Sequence, residues 1–188
     1  MMPILAREPE LFPDDLLDRP ETGTEATHRW WVVHTRPRQE KTLARFLTDK
    51  HIAHYVPQLE HKTRSPKGRT RISFVPMFTS YGFVYVTPEE RLKTLDIPAT
   101  AHLLEVQDGR QLTFDLKQIR RLSLTGKLLT PEDRLEPGMQ VRITSGPFEG
   151  FEGRILKRRT GDHLLVMVNY LQRGISVELG DYHLERLT

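Results

Sequence analysis

Gly138-Met139-Gln140-Val141-Arg142-Ile143-Thr144-Ser145-Gly146-Pro147-Phe148-Glu149-Gly150-Phe151-Glu152-Gly153 is the stretch on which the fold of this chain turns. It reads as a strand, a tight Gly-Pro turn, a second turn and a return strand, with glycine supplying positive φ or close backbone approach and Phe148 and Phe151 supplying burial. Around it, Val141-Arg142-Ile143, Gly153-Arg154-Ile155-Leu156, Leu164-Leu165-Val166-Met167-Val168 and Ile175-Ser176-Val177-Glu178-Leu179 form four short strand signals separated by Gly-Pro, Gly-Asp and Arg-Gly turns. Closely spaced strands over residues 136–188 predict a small all-β barrel, near the lower limit of size for independent stability.

Upstream, residues 125–135 have linker composition, with Gly126, Pro131 and mixed charges. Before them the pattern changes. Trp30-Trp31-Val32-Val33-His34-Thr35 suits a buried strand, and Pro37 followed by Leu43, Phe46 and Leu47 predicts an amphipathic helix over 37–50. A strand at 54–59, the turn Ser65-Pro66-Lys67-Gly68 and a strand at 70–75 predict a hairpin with a basic tip. Tyr81-Gly82-Phe83-Val84-Tyr85-Val86 is the most strand-like run of the chain. A helix restarts at Pro88-Glu89-Glu90, a short strand covers 103–106, and Leu116, Ile119 and Leu122 predict a closing helix at 115–123. The order β, α, β, β, β, α, β, α over residues 29–124 predicts an α+β domain, an antiparallel sheet covered by helices on one side.

Length and charge bound the rest. The 188 residues make one ordinary domain or two small ones, and the absence of cysteine removes disulfides, thiolate nucleophiles and cysteine-based metal sites. Net charge is +3, but it is unevenly spread. Residues 1–29 carry 3 basic and 7 acidic groups, residues 30–125 carry 16 and 9, and residues 126–188 carry 9 and 9. The proline-containing acidic stretch 1–28 reads as a disordered arm. Electrostatic attraction to nucleic acid belongs to the middle of the chain. With no basic n-region before an apolar core and no apolar run of ~18 residues, the expectation is a cytoplasmic protein with no membrane contact.

The 138–153 stretch resembles a KOW motif, and its extension through Leu187 resembles the C-terminal KOW barrel of the NusG family. Arg29-Trp30-Trp31-Val32-Val33, the helix after it, the basic hairpin and Pro76-Met77-Phe78-Thr79-Ser80-Tyr81-Gly82-Phe83-Val84-Tyr85-Val86 resemble, in that order, the family's N-terminal (NGN) domain. The resemblance implies a monomeric transcription elongation or antitermination factor that binds RNA polymerase through its N-terminal domain, suppresses pausing and recruits partners through its barrel. Where the family carries proline-glycine, this chain has Thr79-Ser80, which loosens a turn normally set by those two residues. That departure, the acidic arm and Leu171 lean toward a specialised paralogue of the RfaH kind.

In the family an exposed aromatic patch docks on the clamp helices of the polymerase, and the matching positions here are His34, Phe78, Tyr81 and Phe83. Read from the residues alone, the same rings also suit the core of a strand and its entry turn. Two basic sets, Arg36, Arg38 and Lys41 at the start of the first helix and Lys62, Arg64, Lys67, Arg69 and Arg71 on the hairpin, suit salt-sensitive contacts with phosphates of non-template or upstream DNA, or a solvated charged surface. In the barrel, Tyr170, Leu171, Arg173 and Ile175 mark the region that in relatives meets Rho or the ribosomal protein that doubles as NusE. Turn packing is the other reading of that loop.

No nucleophile elbow, P-loop, dinucleotide glycine pattern or His-Glu-x-x-His occurs, so neither an enzyme nor a cofactor is expected. His51, His54 and His61 are the tightest histidine group, but no carboxylate pair completes a metal site. The competing function class is an RNA-binding or ribosome-associated KOW protein.

Overall fold

The computed structural model describes residues 7–133 and 138–187. Expectations for residues 1–6 of the arm, 134–135 of the linker, and 136–137 and 188 of the barrel lie outside the described residues. The chain divides into two compact units between Arg110 and Gln111.

The first unit is a five-stranded antiparallel sheet. Its strands are β1 (Leu11–Phe12), β2 (Arg29–Thr35), β3 (His54–Tyr55), then, after the separate ribbon β4 (Gln58–Arg64) and β5 (Thr70–Pro76), β6 (Tyr81–Val86) and β7 (Thr100–Glu105). The sheet order is β1-β3-β6-β2-β7, and among the described residues β4 pairs with β5 alone. Helix α1 (Glu40–Asp49) follows β2, and α2 (Pro88–Leu95) follows β6. The first helix starts at Glu40, three residues later than expected, because Arg38 takes φ 60 and breaks the helical path. Its apolar stripe Leu43, Ala44 and Leu47 is fully buried, in one cluster with Val33, Val84 and Val86 of the sheet. Burying each leucine contributes about 1.5–3 kcal/mol. The second helix begins where Pro88 and two acids predicted. Thr87 and Glu90 form a reciprocal capping box there.

The acidic stretch is the main correction. From residue 7 onward it is ordered: Leu11 and Phe12 pair with Tyr55 and His54, and Leu16 and Leu17 are almost wholly buried. Its composition suggested disorder because its apolar residues come in two pairs too short to show a period, and each pair is used.

The second unit carries helix α3 (Gly109–Ser123, which opens two residues before the division) and a six-stranded antiparallel sheet. Its strands are β8 (Leu129–Glu132), β9 (Gln140–Ser145), β10 (Glu152–Arg158), β11 (Gly161–Val168), β12 (Arg173–Glu178) and β13 (His183–Arg186), in the order β13-β9-β10-β11-β12-β8. Two expectations shift here. The closing helix is six residues longer than expected and groups with the second unit. Residues 129–132, read as linker, pair with β12, and Glu132 accepts hydrogen bonds from Ser176 and Arg158, both at 2.5 Å. Pro131 is compatible with strand pairing because β8 is an edge strand. At Gly153 a Cβ would lie 2.2 Å from the Leu165 carbonyl oxygen, so the β10–β11 approach requires glycine.

Candidate functional site

Opposed residues of an antiparallel pair share a face, so the registers of the first sheet sort its side chains. One cross-strand row runs Leu11, Tyr55, Phe83, Val32, Leu104; beside it lie Trp30 with Tyr85 on one flank and His34 with Tyr81 and His102 on the other. This is the aromatic face. The opposite face holds Val33, Val84 and Val86 and receives α1.

The predicted docking rings divide across this face. His34 and Tyr81 are half-buried, with ring centroids 5.2 Å apart. Phe78 and Phe83 are not exposed as expected: they are 2% and 0% accessible and meet edge to face at 6.1 Å. Their burial follows from position, since Phe83 is the centre of the row and Phe78 packs on it. Sequence reasoning missed His102, whose ring stacks on His34 at 6.0 Å, and Leu104, which is 38% exposed. The register with β2 is what brings them to the face, and no local pattern announces that.

The turn that enters β6 is held by a side chain of α1. Ser80 takes φ 67, where the family has glycine, and its N–H donates to the buried Glu40 carboxylate at 2.7 Å. Its carbonyl accepts from Thr35 N–H at 2.9 Å. The Thr79-Ser80 departure is therefore accommodated by α1 and β2.

All five hairpin cations are exposed. The register places Lys62 and Arg64 on one side of the ribbon and Arg71 on the other, with Lys67 and Arg69 at the tip. Lys62 pairs with Glu60 at 3.0 Å. Arg36 and Arg38 are exposed and Lys41 is half-buried. Such a two-sided ribbon suits contact with a sugar-phosphate backbone more than insertion of one face.

In the second unit Tyr170 and Leu171 sit in a 3₁₀ turn, residues Asn169–Leu171, closed by Gln172 at φ 53. Tyr170 is 40% exposed. Leu171 and Arg173 are half-buried, and Arg173 lies 3.8 Å from Asp133. Ile175 is fully buried, so it is a core residue and not a contact residue. His54 is buried as well. Its Nδ1 lies 2.8 Å from the Ile52 carbonyl oxygen, its ring stacks on Phe12, and burial pushes its pKa below the ordinary value. Among the described residues no three of His, Asp and Glu are gathered as a metal site, and no helix is long and apolar enough to cross a membrane.

An α+β sheet domain with one helix-covered face and one aromatic face, followed by an antiparallel β unit, is the class of fold these residues define. A family model described as "Transcription termination factor nusG" matches residues 28–121, and the chain belongs to the NusG family. Members are transcription elongation and termination factors, not enzymes. Among solved structures, a chain of the MjSpt4:Spt5 complex in conformation B is similar at 15% identity and a TM-score of 0.28, covering 84% of this chain and 97% of that one. No curated protein matches. The family assignment therefore rests on residues 28–121, which hold β2 to β7, α1, α2 and most of α3.

Proposed function

We propose that this chain is a cytoplasmic elongation and antitermination factor that binds RNA polymerase through the aromatic face of its first unit and suppresses pausing. The observation that carries the reading is the continuous row of rings and aliphatic groups inside the stretch that matches the NusG family. Its uncovered margin, His34, Tyr81, His102 and Leu104, offers an anchor for a partner helix. The exposed hairpin supplies phosphate contacts to non-template or upstream DNA, and the second unit acts as a KOW barrel that recruits Rho or NusE through Tyr170 and Leu171. Thr79-Ser80, together with Leu171, supports a specialised paralogue of the RfaH kind.

Polymerase capture by the full-length chain, in competition with a housekeeping NusG, tests the reading. Combined His34→Ala and Tyr81→Ala changes should abolish capture. Unchanged capture by that variant would remove the proposed face, and tight salt-sensitive binding to ribosomal RNA with none to polymerase would favour a ribosome-associated role. Mapping along the genome separates the two kinds of factor: occupancy of a few operons supports the specialist.

A further inference from the structure

Most of the aromatic face is already occupied. Trp30, Val32, Tyr55, Phe83 and Tyr85 are each at most 4% accessible, although α1 packs on the opposite side of the sheet. The stretch 10–28 is fastened to this face at both its ends. At the sheet edge Leu11 stands opposite Tyr55, the Glu10 carbonyl accepts from Val56 N–H at 2.6 Å, and the Glu10 carboxylate accepts from Gln58 N–H at 3.1 Å. At the other end the Tyr85 hydroxyl donates to the Glu21 carbonyl and the Glu25 carboxylate, both at 3.4 Å, and the His28 ring stacks on Tyr85 at 5.5 Å. Both fastenings lie on the aromatic side of the sheet, at its β1 edge and at its Tyr85 flank, and between them Leu16 and Leu17 are almost wholly buried.

The geometry points to residues 10–28 as an intramolecular cover, which must lift from the aromatic face before polymerase docks there; this inference rests on the docking reading above. The fastening is suited to release. Its strand has two residues, the bonds to Tyr85 are long, and the middle of the stretch is bonded to itself, through Leu16 N–H to Pro13, Thr22 Oγ1 to Leu16 and Arg19 to Asp15. Residues 7–28 carry 7 acidic groups against 2 basic ones, a composition that stays hydrated once detached. The cover also lies almost wholly outside residues 28–121, the part that matches the family.

Because the chain has no cysteine, a reversible lock is available. Phe12 and His54 are direct partners across β1 and β3, so Phe12→Cys with His54→Cys joins them on oxidation and pins the stretch between that bond and β2. The oxidised full-length chain should bind polymerase at least tenfold more weakly than the same chain after reduction, and Leu16→Asp with Leu17→Asp should bind more tightly than the unchanged chain. In the unchanged chain the Val56 and Gln58 amides should lose hydrogen-exchange protection when polymerase is added, a readout that does not depend on how the variants fold. Equal binding of oxidised and reduced protein, or protection kept in the complex, overturns the cover. If either occurs while His34→Ala with Tyr81→Ala still abolishes binding, only the cover falls. If that double variant binds normally, the docking face and the cover fall together.

Discussion

The Glu40 carboxylate accepts the Ser80 amide at 2.7 Å, tying the first turn of α1 to the turn that aims Tyr81. Glu40 is almost wholly buried and opens α1, where an acidic side chain meets the positive end of the helix dipole. A non-glycine residue in the left-handed region costs about 1–2 kcal/mol, and Ser80 at φ 67 bears that cost. Glu40→Ala should lower stability by about 1–3 kcal/mol, the range for orphaning a buried donor. Ser80→Gly should leave stability unchanged or raise it by about 0.5–1 kcal/mol, since glycine relieves the left-handed strain but adds freedom to the unfolded chain. Urea midpoints of the two variants check both signs.

The hairpin supplies an ionic prediction. Arg64, Lys67, Arg69 and Arg71 project from both sides and the tip of a ribbon that, among the described residues, pairs with no other strand. Each one that contacts a phosphate should, when changed to Gln, lower the slope of log affinity against log salt by about 0.7–0.9. Lys62→Gln should change it less, because Glu60 already neutralises that ammonium at 3.0 Å. Stability should move by no more than about 0.5 kcal/mol in each case, as expected for exposed positions. Titration of a nucleic-acid scaffold at three salt concentrations separates these effects.

Legibility in the sequence followed the range of the forces. The helix and strand signals of residues 29–123 rest on neighbours a few positions apart, and most correspond to one element each, but the single strand expected at 54–59 is two: β3 in the sheet and β4 in the separate ribbon. Pro88 through Glu90 announced a helix start by composition alone, while the Thr87 cap came only with the structure. What escaped is long-range. Leu11 pairs with Tyr55 and His102 reaches His34 through strand order, which no window of residues contains. Phe78 and Phe83 stayed open between docking surface, from the resemblance, and core, from residue type, because no local pattern says what lies on a face. Glu132 read as linker because its partners Arg158 and Ser176 are distant in the chain.

His54 links stability to pH. It is fully buried, with Nδ1 on the Ile52 carbonyl and Phe12 stacked on its ring. Burial holds its pKa below the ordinary 6.5, so the unfolded chain binds a proton at pH values where the folded chain does not. Its contribution is therefore fully present above about 6.5 and is lost as pH falls from there toward the folded value, by at most about 1.4 kcal/mol per pH unit. Denaturation at pH 7.5 and 5.5 should show a smaller decline for His54→Gln than for the unchanged chain. Carboxylates titrate alike in both proteins, so the difference between the two declines belongs to this imidazole.

Asp115 governs the loop proposed to meet partners of the second unit. Although it lies in α3, its carboxylate accepts the Asn169 backbone N–H at 2.8 Å and the Asn169 side-chain amide at 3.1 Å, and it also accepts from Gln111 Nε2 at 2.8 Å. Asn169 opens the 3₁₀ turn that presents Tyr170 and Leu171, and the left-handed Gln172 closes it. With Asp115 only 2% exposed, removing its carboxylate leaves the Asn169 N–H without this acceptor in a site that admits little water. Asp115→Ala should therefore cost about 1–3 kcal/mol and speed hydrogen exchange at Asn169. Affinity for Rho or NusE should weaken severalfold in the same variant, because the partner must then order the turn as it binds. Tyr170→Ala separates contact from positioning: it should weaken partner binding while leaving both the urea midpoint and Asn169 exchange near their original values. If Asp115→Ala frees the Asn169 amide and partner affinity does not change, the turn is packing alone and the contact surface of the second unit lies elsewhere.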